Sequence, residues 1–130
     1  MKRVLFVCVG NSFRSQIAEA FFNSMAKNAR ASSAGTRNAD KVSSTAIMLM
    51  KEVGIDMSGA KPKLLTPEML DEADIVISMG CQVGELCPGV LADEDWGLDD
   101  PLGKPVEKAR EIRDAIKEKV ERLAAKLSLE

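Results

Sequence analysis

The stretch Arg3-Val4-Leu5-Phe6-Val7-Cys8-Val9-Gly10-Asn11-Ser12-Phe13-Arg14-Ser15 decides the fold. Residues 3 to 9 form a nearly unbroken β-favouring apolar run, the pattern of a strand buried on both faces of a parallel sheet. A polar turn from Gly10 to Ser15 leads straight into a helical pattern, with Ile17, Phe21 and Met25 four apart and Ala18 and Phe22 beside them. Five residues separate Cys8 from Arg14, enough to curl the backbone so that successive N–H groups face one tetrahedral oxyanion. Gly10 and Asn11 tolerate the positive φ values that such a nest requires. The new helix contributes its positive N-terminal end, and Arg14 offers a planar, two-pronged grip on oxygens. Val9, Gly10, Asn11, Ser12, Phe13 and Arg14 are therefore the expected oxyanion cradle. The same surroundings stabilise a thiolate at Cys8, to which Ser15 adds a hydroxyl donor. A buried strand cysteine and a surface arginine would explain a bare C-x5-R, but the strand-loop-helix setting is what an anion loop demands.

Outward from this loop the pattern alternates. Ala31-Ser32-Ser33 reads as a weak second strand closed by Gly35, and Ser43 or Ser44 caps a helix through Val53 that Gly54 ends. Thr66 as cap, Pro67 at the first helical position and Glu68 in the first turn announce another helix, which runs into the strand Ile75-Val76-Ile77-Ser78. Residues 80 to 103 hold five of the nine glycines, with five acidic residues between Asp93 and Asp100, a loop region around one short strand near Val90-Leu91. Val106, Ala109, Ile112, Ile116, Val120, Leu123 and Leu127 advance by three or four, a final amphipathic helix. The alternation predicts an α/β fold: one domain over residues 1–130, a small doubly wound, flavodoxin-like, four-stranded parallel sheet with helices on both faces. Such sheets bind ligands beyond the carboxyl ends of the strands, where the chain reverses beside the first strand.

Composition narrows the chemistry. The 130 residues include no His, no Tyr and three Cys. Lacking His, the chain has no Ser-His-Asp or Cys-His catalysis, no His-ligated metal and no histidine pH switch. Cys, Asp/Glu, Lys or Arg must carry any catalysis. A net charge of −2 gives no general attraction to nucleic acid or acidic membranes. The amino terminus faintly mimics a signal peptide, but its apolar run is too short and lacks a small-residue cleavage site. Nothing approaches the 18 or so apolar residues of a membrane span. A cytoplasmic setting is expected, where structural disulfides are rare and three cysteines point to catalytic, metal or redox use. Three dispersed Cys without His or a C-x2-C pair match no common zinc pattern, so no metal site is expected.

Cys8 to Ser15, together with Asp99-Asp100-Pro101, resembles the low-molecular-weight tyrosine phosphatase superfamily. Trp96 to Gly103 and the pair Cys81/Cys87 are more similar to its thioredoxin-coupled arsenate reductase branch, and Ser33-Ala34-Gly35 and Glu52 to Asp56 also fit. The resemblance covers essentially the whole chain and implies the phosphatase I-like fold. It implies Asp100 as the acid that protonates the departing oxygen, the role a His-free site must give to a carboxyl. Asp99, with Asp93, Glu94 and Asp95 nearby, would disfavour a further charge and raise the Asp100 pKa. A solvated acidic turn is the plainer reading of the same residues.

The resemblance further implies a relay. Cys8 attacks arsenate; Cys81 attacks Cys8, releasing arsenite; Cys87 attacks Cys81; and thioredoxin, or a similar dithiol protein, reduces the final disulfide. Were residues 81 to 87 helical, Cys81 and Cys87 would lie about 9 Å apart, beyond the roughly 4.4–6.8 Å of a disulfide, so the segment must be a loop or unwind. Five residues separate them, one fewer than in the bacterial reductases they resemble. Phe13 stands where both branches often carry Cys, and Leu102-Gly103 where tyrosine phosphatases carry aromatic recognition residues. A low-molecular-weight phosphatase forming a phosphocysteine at Cys8 is the alternative activity, and weak phosphatase turnover fits either enzyme. No tightly bound cofactor is expected. Some of these reductases hold a potassium ion behind the loop: Asn11, Glu19 and Ser33 match three of its ligands, whereas Lys63 falls where an Asp is expected. That leaves potassium, a Lys63 ammonium paired with Glu19, or a plain surface lysine open.

Overall fold

The computed structural model describes residues 2–37, 40–79, 93–99, 101 and 103–128. Its elements run β1 (Lys2–Cys8), α1 (Arg14–Met25), β2 (Ala29–Gly35), α2 (Ser44–Glu52), α3 (Pro67–Glu72), β3 (Ile75–Ser78), β4 (Glu94–Asp95) and α4 (Val106–Ser128). The strands form one sheet in the order β2-β1-β3-β4, every pair parallel. β1 pairs with β2 on one side and β3 on the other, so the chain reverses direction across the sheet beside the carboxyl end of β1.

Alternation along β1 divides the core in two. Val4, Phe6 and Cys8 join the larger cluster with Ile17, Phe21 and Phe22 of α1 and Ile112, Ile116 and Val120 of α4. Leu5 and Val7 turn the other way and join Ala34 and Val76, covered by Leu65, Met69, Leu70 and Ala73. Helices therefore cover both faces, as expected of a strand whose last five residues are all buried. Ser43 caps α2, its Oγ accepting from Ala46 N–H, and Thr66 caps α3 in the same way with Pro67 behind it.

β2 is longer than its weak apolar signal, because pairing with β1 over seven residues supplies what propensity does not. The strand expected near Val90-Leu91 lies outside the described residues. The described fourth strand is two exposed acidic residues, Glu94 and Asp95, which carry no apolar signature. Among the described residues, no helix is long and apolar enough to cross a membrane.

An ionic clamp joins α2 to α4. Glu52 accepts from Arg110 Nη2 at 2.8 Å and from Arg113 Nη1 at 2.7 Å, and Arg113 Nη1 also donates to the Leu49 carbonyl. Hydrogen bonds from Arg110 and then Arg113 hold the Glu52 carboxyl down at about 2, against an ordinary 4.5. The clamp secures the helix whose capped start supports the loop after β1.

Candidate active site

β1 ends at Cys8, and residues 9–13 turn before α1 begins at Arg14. The left-handed conformation that the turn requires falls on Asn11, at φ 53°, rather than on Gly10. Asn tolerates this region better than most side chains. Gly35, at the end of β2, lies against the turn: a Cβ there would come within 2.7 Å of Val9 O and 2.8 Å of Asn11 N and Gly10 C. Ser43 N–H donates to Ser12 O at 2.8 Å, and Thr36 and Arg37 N–H donate to the Cys8 and Val9 carbonyls. No side chain caps α1, whose first-turn N–H groups thus face the loop uncapped by Phe13.

Cys8 is buried, 3% exposed, and its Sγ has two hydrogen-bond partners. Asn11 N–H donates to it at 3.1 Å, and Ser15 Oγ lies 2.8 Å away. Ser15 Oγ in turn accepts from Asn11 Nδ2 at 2.7 Å. Arg14, also buried, donates from Nη1 to the carbonyls of Met79 (2.7 Å) and Leu98 (2.9 Å). These two bonds fix the plane of the guanidinium and leave its Nε–Nη2 edge outside them, the edge suited to a bidentate oxyanion.

A cavity of about 290 Å³ opens over the loop. Cys8, Val9, Gly10, Ser12, Phe13 and Arg14 form its floor, and Ser43, Thr45, Pro101, Lys104 and Val106 contribute to its walls. The predicted cradle is thus gathered in one place, with Asn11 and Ser15 supporting it from beneath. Asp100, Cys81 and Cys87, the expected acid and relay thiols, lie outside the described residues. Asp99 sits 3.8 Å from both Lys104 and Lys108, and Asp93 Oδ2 accepts from Val76 N–H. Cations and backbone donors offset those charges.

Behind the loop, Glu19 Oε1 accepts from Ser33 Oγ at 2.9 Å and pairs with Lys63 Nζ at 3.4 Å. Asn11 Oδ1 accepts from Lys63 N–H at 2.8 Å and Gln16 Nε2 at 2.9 Å. The Asn11 and Glu19 oxygens matched to a potassium ion already face protein donors and an ammonium, and the Ser33 hydroxyl is spent as a donor to Glu19, a set that fits the ion poorly. Among the described residues no group of three or more His, Cys, Asp or Glu is placed to hold a metal.

Four parts of this site had no signal in the sequence reading. They are the Met79 and Leu98 carbonyls that hold Arg14, the close approach of Gly35, and Gln16. Backbone carbonyls are the same in every residue, and only the fold decides which of them meets Arg14. Gln16 directly follows Ser15, but its side chain says nothing of its partners until the 61–63 segment is placed.

A family model described as low molecular weight phosphotyrosine protein phosphatase matches residues 3–130. The chain is similar to the glutaredoxin arsenate reductase of Synechocystis sp., 41% identical over 98% of this chain and 100% of that one. A solved structure of an arsenate reductase in the phosphate binding state is 42% identical at a TM-score of 0.85, over 97% of this chain and 98% of that one. The arginine phosphatase of Geobacillus stearothermophilus is 29% identical at 0.82, over 99% and 94%.

Proposed function

Because this chain belongs to the low-molecular-weight phosphotyrosine protein phosphatase family, whose chemistry begins at a loop thiolate, we propose that it is an arsenate reductase. The observation that carries the proposal is the buried Cys8 Sγ, held by Asn11 N–H and Ser15 Oγ on the floor of a cavity that Arg14 also lines. The names of the Synechocystis relative and of the phosphate-bound structure support arsenate as the oxyanion.

Arsenate enters the cradle with its oxygens toward the loop N–H groups and the Nε–Nη2 edge of Arg14. Cys8 thiolate attacks arsenic, forming an S–As bond, and one oxygen leaves as water with the proton supplied by Asp100. Cys81 thiolate then attacks Cys8 Sγ. The S–As electron pair returns to arsenic, which leaves as arsenite, reduced by two electrons, while Cys8 and Cys81 become a disulfide. Cys87 attacks Cys81, frees the Cys8 thiolate and leaves a Cys81–Cys87 disulfide for an external dithiol. Thioredoxin is the proposed donor, in the reducing cytoplasm that keeps these thiols free. Glutaredoxin with glutathione is the second reading, favoured by the name of the Synechocystis relative.

Lys63 takes the place of a bound cation. Its ammonium on Glu19 supplies the positive charge behind the loop, so turnover does not respond to exchanging sodium for potassium.

The test is arsenate-dependent oxidation of NADPH with thioredoxin and thioredoxin reductase, or with glutaredoxin, glutathione and glutathione reductase. It is run on wild type and on Cys8→Ser, Cys81→Ser and Cys87→Ser. Loss of turnover in all three variants supports the relay, and the system that sustains wild type names the donor. Aryl phosphate hydrolysis that needs Cys8 but neither Cys81 nor Cys87, with no arsenate reduction, establishes the phosphatase instead.

A further inference from the structure

Gln16 is 2% exposed, an expensive place for a primary amide unless each polar atom it buries has work to do. Its Nε2 donates twice, to Lys61 O at 2.9 Å and to Asn11 Oδ1 at 2.9 Å. A backbone carbonyl only accepts, so Lys61 O settles which end of the Gln16 amide faces inward. Asn11 Oδ1 also accepts from the Lys63 backbone N–H at 2.8 Å, and a backbone N–H only donates. With its oxygen claimed by two donors, Asn11 must present Nδ2 to Ser15 Oγ, 2.7 Å away. Ser15 Oγ, accepting there, has its own hydrogen to direct at Cys8 Sγ, 2.8 Å further on.

We infer that Gln16 is a positioning residue for the nucleophile. It orients the Asn11 amide, and through Ser15 aims a hydroxyl hydrogen at the Cys8 sulfur, so that the chain Gln16–Asn11–Ser15–Cys8 stabilises the thiolate. The inference rests on Cys8 being the activated nucleophile. The donors point the same way at every step, and successive hydrogen bonds in a dry interior polarise one another. Gln16 does not line the cavity. It acts through Asn11, which without it keeps a single donor, the Lys63 N–H, and is freer to turn its amide. The link also couples the nucleophile to the 61–63 segment, which lies at the edge of the sheet and bonds to Gly35.

The experiment uses the full chain with Cys81→Ser and Cys87→Ser, which leaves Cys8 as its sole thiol. The rate of alkylation by iodoacetamide is followed from pH 5 to 9. The midpoint of the profile in this background is the reference, set against the about 8.5 of an ordinary thiol. Gln16→Met, close in size but without the donors, moves the midpoint up by about 0.5–1 pH unit, so alkylation on the acid limb slows about 3- to 10-fold. In a further Ser15→Ala background the same substitution moves it no more, because the path from Gln16 to sulfur is already cut.

Gln16→Glu gives the same direction, since an ionised carboxylate has no hydrogen for Asn11 Oδ1, and it serves the cycle if the Met variant does not fold. A background midpoint near 8.5 overturns the activated nucleophile itself. A low background midpoint that Gln16→Met leaves in place overturns the role of Gln16 alone. An equal shift with and without Ser15 also overturns it, because the substitution would then be acting through general loosening of the loop.

Discussion

The substitution Gly35→Ala isolates the contact between β2 and the anion loop. The added Cβ would lie 2.7 Å from Val9 O and 2.8 Å from Asn11 N and Gly10 C, all backbone atoms that no rotamer change can withdraw. Ordinary contact begins at 3.4 Å, so something must give by about 0.7 Å. Gly35 itself has little room to retreat, because its N–H donates to Lys63 O and its carbonyl accepts from Leu65 N–H, each at 2.8 Å. The loop is the part that moves. Overpacking of this kind costs about 1–3 kcal/mol. Against it stand about 0.8 kcal/mol for burying a methyl and about 0.4–1 kcal/mol from a stiffer unfolded chain. The balance runs from about 0.8 kcal/mol of net stabilisation to about 1.8 kcal/mol of destabilisation.

The effect on the site is larger, because displacing the N–H groups that cradle the oxyanion by several tenths of an ångström spoils their convergence. Phosphate or arsenate affinity falls about 10-fold or more, and turnover falls with it. Trp96, the sole tryptophan, reports binding. Its ring meets that of Phe6 at a tilt of 54°, centroids 5.5 Å apart, and it stands two residues from the Leu98 carbonyl that holds Arg14. Titration of its fluorescence with phosphate, beside urea unfolding of both proteins, measures the two effects separately. A Gly35→Ala protein with wild-type phosphate affinity would refute the reasoning, whatever its stability.

Arg14→Lys keeps the charge but loses the planar fork and cannot hold the Met79 and Leu98 carbonyls while presenting two donors to the anion; arsenate turnover should drop at least about 100-fold. Steady-state rates within threefold of wild type would remove Arg14 from oxyanion binding. Ile116→Ala empties a fully buried site on α4 and should lower stability by about 2–5 kcal/mol in urea unfolding while leaving phosphate affinity unchanged. The Glu52 carboxyl, held at about 2 in the fold against 4.5, contributes stability that is present above pH 4.5 and lost as pH falls from there through about 2. Glu52→Gln should therefore flatten the dependence of the unfolding midpoint on pH across that window, and an unaltered acid limb would exclude the clamp.

The sequence alone was enough for the strand-loop-helix unit, because a doubly buried strand, an anion turn and an amphipathic helix each leave a local pattern of residue types. Ser43, Thr66 and Pro67 marked the starts of α2 and α3 for the same reason: capping is chemistry between neighbours in the chain. The spacing of Cys8, Arg14 and Ser15 was enough to place them together at one loop. Where local signals were faint the limits showed. β2 extends to seven residues on the strength of its pairing with β1, and β4 is two exposed acidic residues that only a neighbouring strand can order.

What the tertiary structure decided is the supporting shell. Which carbonyls fix the plane of Arg14, 65 and 84 residues away, where the Lys63 ammonium rests, 44 residues from Glu19, and which carbonyl fixes the Gln16 amide, 45 residues on, all depend on distant segments, as does the glycine that must have no side chain. Residue types and their spacing carry chemistry that acts along the chain. The direction of a hydrogen bond, and the few tenths of an ångström between a glycine and a loop, exist only once distant segments are packed together.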